Sequence, residues 1–523
     1  MYRSFILILL LAIGVSAQES QLGRVDFPTS GSPQAQAHFL RGLAALHSFW
    51  YEEAADAFRE ATRIDPDFMM GYWGEAMTFN HPLWSEQDLT AARAVLAKIK
   101  DTPKLSERER AYLSAVKVLF GDGDKRARDT AYSAAMEKVY RAYPDDLDAA
   151  AFYSLSLLGL TSPVDKSYRL HAKAGAIALE VYQKNPNHPG AAHYIIHAFD
   201  DPDHAIIALP AARRYASIAP EAHHARHMPS HIFLQLGMWP EAAASNEAAW
   251  ASSDAWMKRK NLSVNVRDYH SLHWLMYAYL QQGRYQKAEE LLKLMKKVMS
   301  ESTYDNKLRP GYYENNWANM ASAFVVETER WGLASELFPA NNSAASASAG
   351  TNGSHGSHDA TVRTSMASQN LPIFIRGLAS AVNGSSSEVN SISPVNRLEV
   401  QALAASMKKD NAAAIETMKA ATSLEEQGGA PYGPPGLIKP SHELFGEILL
   451  RAGQPKEAAE KFQMALLRQP NRARSLLGLA RAAAQSGDTE TARATYAKFL
   501  DQWKDADANL PELREARDYV GKK

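Results

Sequence analysis

The pattern His-x-x-x-His occurs twice in this chain, and the second copy lies 34 residues after the first: the pairs are His193/His197 and His227/His231. A period of 34 residues is typical of helix–turn–helix units that stack into a superhelix. Residues four apart on a helix project from the same face, so each pair presents two imidazoles one turn apart. This period constrains the fold more than any other feature, because each stacked unit packs only on its neighbours.

A recurring turn supports the same period. A glycine, an aromatic residue two positions on and a later alanine occur in Gly237–Ala242 and in Gly283–Ala288, and similar units follow His47 and Gly453. Glycine permits the tight turn between two helices, alanine lets the helices approach closely, and a proline such as Pro470 ends the second helix. In these residues the chain resembles the tetratricopeptide repeat family over most of residues 34–340 and 395–500.

That resemblance implies an all-α fold, an alpha-alpha superhelix (solenoid) of stacked helix–turn–helix repeats, of the exported bacterial type. It also implies a concave groove lined by the first helix of each repeat, where a protein, peptide or small-molecule ligand binds. We expect repeats in residues 34–340 and again in 371–510. Residues 341–370 between them are rich in Ala, Ser, Gly and Asn, and they predict a mobile, protease-sensitive insertion.

The N-terminus predicts export. An apolar run from Phe5 to Val15 is followed by small residues, so residues 1–17 are expected to be a signal peptide cleaved before Gln18. The mature chain is then secreted or periplasmic, with no membrane span. It has no cysteine, which excludes thiolate metal sites and disulfides. A net charge of −1 shows no basic excess, so a nucleic-acid partner is not expected.

The histidines point to a metal site. Alignment of the repeats places His193, His227 and His273 in one row, and His197, His231 and Tyr277 in a second row, with His270 nearby. Imidazole suits zinc, copper, iron and nickel, and bundles build metal sites from ligands on facing helices. We therefore expect one transition metal, zinc or copper, on His193, His197, His227 and His231, with His270 or His273 as a further ligand. Additional donors are Asp200, Asp201, Glu221, Tyr277, His204, His223 and His224.

Other interpretations of these histidines stay open. They could line a polar groove that binds a peptide, or they could pack structurally. Pro229 lies between His227 and His231, so a helix is expected to begin near Pro229 and His227 to lie at its entry. His-Glu-x-x-His is absent, as are phosphate-loop and nucleophile-elbow motifs. The sequence leaves open whether the protein is an enzyme, and a binding scaffold without metal is the alternative function.

Two other segments have competing explanations. The aromatic stretch around Trp73 and Trp84 could form a platform at one end of the groove, although aromatic residues at helical spacing more often belong to the core. Ser441 is expected to cap a late helix, which places Glu443 in its first turn, where acidic residues are ordinarily found.

Overall fold

A computed structural model of the protein describes residues 21–162, 167–301, 311–339, 360–385, 389, 391–431, 433 and 435–521. The predicted signal peptide lies outside these residues. The described part is almost wholly helical, which confirms the all-α superhelical fold. Within it, no helix combines the length and the apolar character that crossing a membrane requires.

The helices follow one another along the whole chain. They are α1 (Pro33–His47), α2 (Tyr51–Ile64), α3 (Met69–Met77), α4 (Leu89–Leu96), α5 (Glu107–Leu119), α6 (Lys125–Ala142), α7 (Leu147–Leu158), α8 (Arg169–Lys184), α9 (Pro189–Ala198), α10 (Ala205–Ile218), α11 (His223–His227), α12 (Pro229–Gln235), α13 (Trp239–Lys260), α14 (Tyr269–Gln281), α15 (Tyr285–Met299), α16 (Tyr312–Thr328), α17 (Ala334–Leu337), α18 (Ala360–Val382), α19 (Pro394–Met407), α20 (Asn411–Gln427), α21 (Ser441–Arg451), α22 (Pro455–Arg468), α23 (Ala473–Ser486), α24 (Thr489–Gln502) and α25 (Pro511–Gly521).

Short elements interrupt this succession. Single 3₁₀ turns are Pro82–Trp84, Val264–Val266 and Trp331–Leu333, and two strands, β1 (Asn80–His81) and β2 (Glu86–Gln87), pair antiparallel.

Interlocking of large and small residues holds successive repeats together. The ring of Phe58, on α2, lies against Gly42 in its own repeat and Gly74 in the next, where a Cβ atom would clash with it. Phe462 on α22 is related in the same way to glycines 16 residues before and after it. Because interiors are close-packed, the same large-into-small contact at the same spacing shows that the two ends of the chain use one packing rule.

The C-terminal repeats pack against the turn that precedes α13. Gly237 has a φ of 65°, a conformation that favours glycine, and a Cβ atom there would clash with Pro470 O. Trp239 Nε1 donates to Asn471 O at 2.8 Å, and Asn471 Nδ2 donates to Gly237 O at 3.2 Å. The superhelix thus brings α12 to α14 into contact with the segment that leads into α23.

Of three helix boundaries expected from the sequence, one lies where it was predicted and two differ. The helix α18 begins at Ala360, so the predicted end of the insertion at residue 370 lies inside a helix, while residues 341–359 lie outside the described residues. Pro229 opens α12 as predicted, and Met228 keeps helical angles, so α11 and α12 follow each other closely. Ser441 does not cap α21; it is the first helical residue, and its hydroxyl donates to Glu399 because that buried carboxylate needs a donor.

The aromatic stretch belongs mainly to the core, as the packing interpretation predicts. Trp73 is 1% exposed and contacts the rings of Phe27, Tyr112 and Phe152. Trp84, by contrast, is 39% exposed on the 3₁₀ turn between the two strands.

Candidate metal centre

Six histidines form a continuous cluster between the first helices of three successive repeats. They fall into two groups of three, and within each group the candidate ligand atoms lie within 4.8 Å of one another. Group 1 contains His193 and His197 of α9 and His224 of α11, and group 2 contains His227 of α11, His231 of α12 and His270 of α14. Both His-x-x-x-His pairs lie in this cluster, as the 34-residue period predicts, but the structure places one pair in each group.

In group 1, two imidazoles converge on a third. His193 Nδ1 lies 2.7 Å from His47 O, and a carbonyl only accepts, so the ring donates there and its Nε2 carries a lone pair. His197 Nε2 and His224 Nε2 each lie 3.1 Å from that same Nε2 atom. Since one imidazole nitrogen has a single in-plane lone pair, two N–H donors cannot both be well aligned with it. A cation at this point would satisfy all three rings.

In group 2, two acceptors orient the rings. His227 Nδ1 lies 2.7 Å from Asn246 Oδ1, and Asn246 Nδ2 donates to Ala242 O at 2.8 Å, which fixes Oδ1 as the atom that faces the ring. His231 Nδ1 lies 2.6 Å from Asp200 Oδ2. When both rings donate through Nδ1, their Nε2 lone pairs face each other at 3.0 Å. That contact is repulsive unless a metal ion or a proton lies between the two nitrogens.

Asp200 provides the proton alternative. Burial raises the pKa of its carboxyl to about 8. A hydrogen bond from Gln235 Nε2 stabilises the charged form and opposes this effect, but burial is the larger of the two. A protonated Asp200 can donate to His231 Nδ1, and His231 Nε2 then donates to His227. The set of three groups therefore needs either one additional proton or one cation. A carboxylate that accepts from the remote nitrogen of an imidazole is the usual support of a metal-bound histidine.

The nitrogen separations fit ligands of a common ion. Two nitrogens at ~2.0–2.1 Å from a metal lie about 2.9 Å apart at a right angle and about 3.4 Å apart at a tetrahedral angle. The three observed Nε2···Nε2 distances, 3.0 to 3.1 Å, lie inside that range. Burial also lowers the pKa of His193, His197 and His231 well below the usual range. These rings therefore stay in the neutral form that can bind a metal.

Phe49 covers group 1 at a conformational cost. Its ring centroid lies 4.2 Å from that of His193, 5.9 Å from that of His197 and 5.7 Å from that of His224. Phe49 has a φ of 53° and occupies the turn position that Gly237 holds in a later repeat. A left-handed conformation costs a residue with a Cβ atom roughly 1–2 kcal/mol. Such strain is often found at functional sites, and here it brings an aromatic ring over three histidines.

Trp274 covers group 2 in a similar way. Its ring centroid lies 4.2 Å from that of His231 and 5.1 Å from that of His227, and the side chain is 1% exposed. Trp274 follows His270 by one turn of α14, so the helix delivers both a candidate ligand and its cover. His193, His227 and His231 are buried beside these two rings, whereas His197, His224 and His270 are partly exposed, so electrostatic interactions are strongest at the buried three.

A buried trio supports group 1 from behind. His47 Nε2 lies 2.8 Å from Asp148 Oδ1, and His188 Nε2 lies 3.4 Å from the same oxygen. Burial alone would raise the pKa of Asp148, but the hydrogen bonds from His188 and His47 hold it well below its usual range. The same residue His47 accepts from His193 through its backbone carbonyl, so the trio fixes the tautomer of a candidate ligand.

Two predicted residues do not join the cluster. His273 lies on α14 three residues after His270 but belongs to neither group; its Nε2 has no hydrogen-bond partner, and burial lowers its pKa to about 4. Tyr277 accepts from Arg472 Nη1 at 2.7 Å. The expected rows ending in His273 and Tyr277 are therefore wrong at that end, since α14 presents His270 to His227.

Arg472 belongs to a second buried polar network. Its guanidinium contacts Glu443 at 2.8 Å and Glu327 at 2.6 Å, and Lys439 contacts Glu443 at 3.0 Å. Glu443 is fully buried, so its position in the first turn of α21 serves this ion pair rather than an exposed helix end.

The other donors proposed from the sequence have separate partners. Asp201 accepts from His204 at 2.8 Å, Glu221 accepts from Arg41 at 2.9 Å, and His223 pairs with Asp268 at 3.3 Å. Sequence reasoning gave His224 only as a further candidate and did not identify Asn246. No sequence pattern indicates that Asn246 lies beside His227. For Phe49 a signal was present, because a phenylalanine occupies the position of the turn that is glycine in a later repeat.

Two stretches of the chain match models of a known protein family, and solved structures similar to the chain are also found. Residues 35–68 and residues 444–507 each match a family model described as a tetratricopeptide repeat. Solved structures similar to the chain include the APC/C hetero-tetramer Cut9–Hcn1, at 10% identity over 94% of this chain and 76% of that chain, with a TM-score of 0.35. Yeast Tom70 is similar at 12% identity over 93% and 88%, with a TM-score of 0.27. No curated protein matches the sequence.

Proposed function

We propose that this protein binds a transition metal, zinc or copper, at the six-histidine cluster of its helical repeats. The observation that carries the proposal is the pair of Nε2 atoms of His227 and His231, 3.0 Å apart, with Asn246 and Asp200 placed to accept from the opposite sides of the two rings. A ligand set that contains imidazole nitrogens and no thiolate suits zinc, copper, iron or nickel.

Peptide binding alone does not account for this arrangement. A ligand groove needs imidazoles that face solvent, whereas His193 and His227 are fully buried, His231 is 6% exposed, and the other three histidines of the cluster are only partly exposed. Structural packing does not need polar rings with their lone pairs directed at one another, because an apolar side chain would fill the same space without a desolvation cost. Metal binding explains the burial, the convergence and the supporting acceptors together.

Metal analysis of protein purified without a histidine tag tests the proposal. We expect stoichiometric zinc or copper, and a thermal stabilisation on adding the metal to the metal-free protein, which amounts to ~2.7 kcal/mol when the free metal is 100 times its Kd. The double variant His193→Ala/His231→Ala takes one residue from each group and should lose both effects while staying helical. His273→Ala is the matched control, because it removes a buried histidine of α14 outside the cluster. A wild type that takes up no metal, or a double variant that keeps all of it, contradicts the proposal.

A second candidate function rests on the repeats themselves. Tetratricopeptide repeats generally form surfaces that bind other proteins, and this chain carries them at both ends. The two functions are compatible, since a scaffold can hold a metal in one part and a partner elsewhere. If the metal analysis is negative, the scaffold function without metal is the remaining account.

We also propose that the protein is exported. The support is the sequence of residues 1–17 alone, with a short cationic start, an apolar run and small residues before Gln18. Intact-mass measurement on protein recovered from the periplasm or medium should give a chain that begins at Gln18; a chain that retains Met1 would contradict export by cleavage.

A further inference from the structure

The two histidine groups touch each other. The ring centroids of His197 and His231 lie 5.8 Å apart, and those of His224 and His227 lie 6.0 Å apart. Each group nevertheless has its own convergent set of ligand atoms, and both include Nε2 pairs at 3.0 to 3.1 Å. One ion cannot sit at both points of convergence, because a metal–nitrogen bond is only ~2.0–2.1 Å long.

Each group leaves its ion with room for another ligand. Three imidazoles are fewer than the four ligands of a closed structural zinc site, and three protein ligands plus a water molecule are typical of catalytic zinc sites. The nearest carboxylates do not fill the gap. Asp200 is engaged with His231, Asp148 is engaged with His47 and His188, and Asp268 is engaged with His223.

Charge balance indicates what the additional ligand is. The six imidazoles are neutral ligands, while two divalent ions bring four positive charges into a cluster whose histidines are buried or partly buried. The three carboxylates that surround the cluster, Asp148, Asp200 and Asp268, supply at most three negative charges. Burial of unbalanced charge is costly, so a small anion between the ions would be stabilised there. Water can supply it, because metal coordination lowers the pKa of bound water to ≈ 7.

We propose that the cluster is a binuclear centre, in which group 1 and group 2 each bind one divalent ion and a hydroxide bridges the two ions. The inference rests on the proposed metal-binding function and adds the number of ions and the class of their shared ligand. The bridge forms when one water molecule loses one proton to solvent, and no electron is transferred. Phe49 lies against His193 of group 1, and Trp274 lies against His231 of group 2, so an aromatic ring packs on each half of the proposed centre.

Copper(II) serves as the probe, because two copper(II) ions joined by hydroxide couple antiferromagnetically and lose their paramagnetic resonance signal. Metal-free full-length protein is titrated with copper(II), the bound ions are counted by native mass spectrometry, and the unpaired spins are counted by electron paramagnetic resonance. We expect two ions per chain, one for each histidine group, with a spin count far below the copper count.

Single-group variants give the complementary result. His224→Ala and His270→Ala each remove one ligand from one group, so each should bind one copper ion whose spin count equals its copper count. His273→Ala should behave like the wild type. Where an alanine variant loses helicity, the glutamine variant at the same position replaces it, because glutamine keeps most of the volume.

The outcomes separate the two proposals. A wild type that binds neither copper(II) nor, in a parallel titration, zinc overturns the proposed metal-binding function. A wild type that binds one ion with its full spin leaves metal binding intact and overturns the binuclear centre. Two ions per chain with a full spin count overturn the bridge, because the ions are then magnetically independent.

Discussion

Asn246 offers the sharpest test of how the fold prepares the metal centre. It is fully buried, its Nδ2 donates to Ala242 O, and its Oδ1 lies 2.7 Å from His227 Nδ1. This contact fixes which nitrogen of His227 faces His231. Asn246→Leu keeps a side chain of similar size but removes the acceptor, so His227 can place its proton on Nε2, where the metal is expected to bind.

The expected loss follows from the role of such supporting groups. Removing a partner that orients a metal-bound histidine typically costs 10–100-fold in affinity. Since each factor of ten corresponds to about 1.4 kcal/mol, Asn246→Leu should weaken the binding of one ion by about 1.4–2.7 kcal/mol. Asn246→Asp retains an acceptor at the same place and should keep the affinity.

A competition titration against a chelating indicator measures these affinities. The matched control is Asn316→Leu on α16, because Asn316 is also buried and donates to a carbonyl four residues earlier, Tyr312 O, at 2.8 Å, but lies outside the cluster. Helicity and urea unfolding of both variants establish that the fold is retained. Unchanged affinity in Asn246→Leu, or equal weakening in Asn316→Leu, would refute the orienting role.

Two predictions concern the buried charges of the C-terminal repeats. Burial raises the pKa of Glu399 well above its usual value, so the folded state loses stability as pH rises above the unfolded pKa of ≈ 4.3. Glu399→Gln should therefore raise the melting temperature at neutral pH but not at about pH 4. An equal gain at both pH values would contradict this prediction. Arg472→Met leaves Glu327 and Glu443 buried without their guanidinium partner and should lower the free energy of unfolding in urea by about 3–5 kcal/mol. The control Arg481→Met breaks a partly exposed pair and should lower it by at most ~1 kcal/mol. Similar losses in both variants would count against the buried network.

The sequence predicted the fold because the repeat is a local rule repeated many times. The glycine, aromatic and alanine residues around Gly237 and Gly283 each specify a turn that needs no information from distant parts of the chain, and the structure has a helix–turn–helix at both. What the period could not predict is how the superhelix closes on itself. The contact of Gly237 with Pro470 depends on the sum of many small rotations between repeats, which no single motif encodes.

The sequence predicted most, but not all, of the histidines in the candidate site. Both His-x-x-x-His pairs were found because four-residue spacing defines a helix face, and five of the six cluster histidines follow from that alignment and its neighbours. His224 lies in the first turn of α11, a short helix that directly precedes α12, and it has no counterpart in the His-x-x-x-His pattern. His270 rather than His273 contacts His227, and the repeat period cannot choose between these two residues because they lie three apart on the same helix.

X-ray absorption spectroscopy at the metal edge is the most direct test of the central claim that imidazoles of this cluster bind the metal. The account predicts, for untagged protein loaded with copper(II), a shell of light ligands at ~2.0–2.1 Å together with the outer-shell scattering of imidazole rings, and its loss in His193→Ala/His231→Ala. A first shell without imidazole scattering, or a spectrum that the double variant leaves unchanged, would contradict the account.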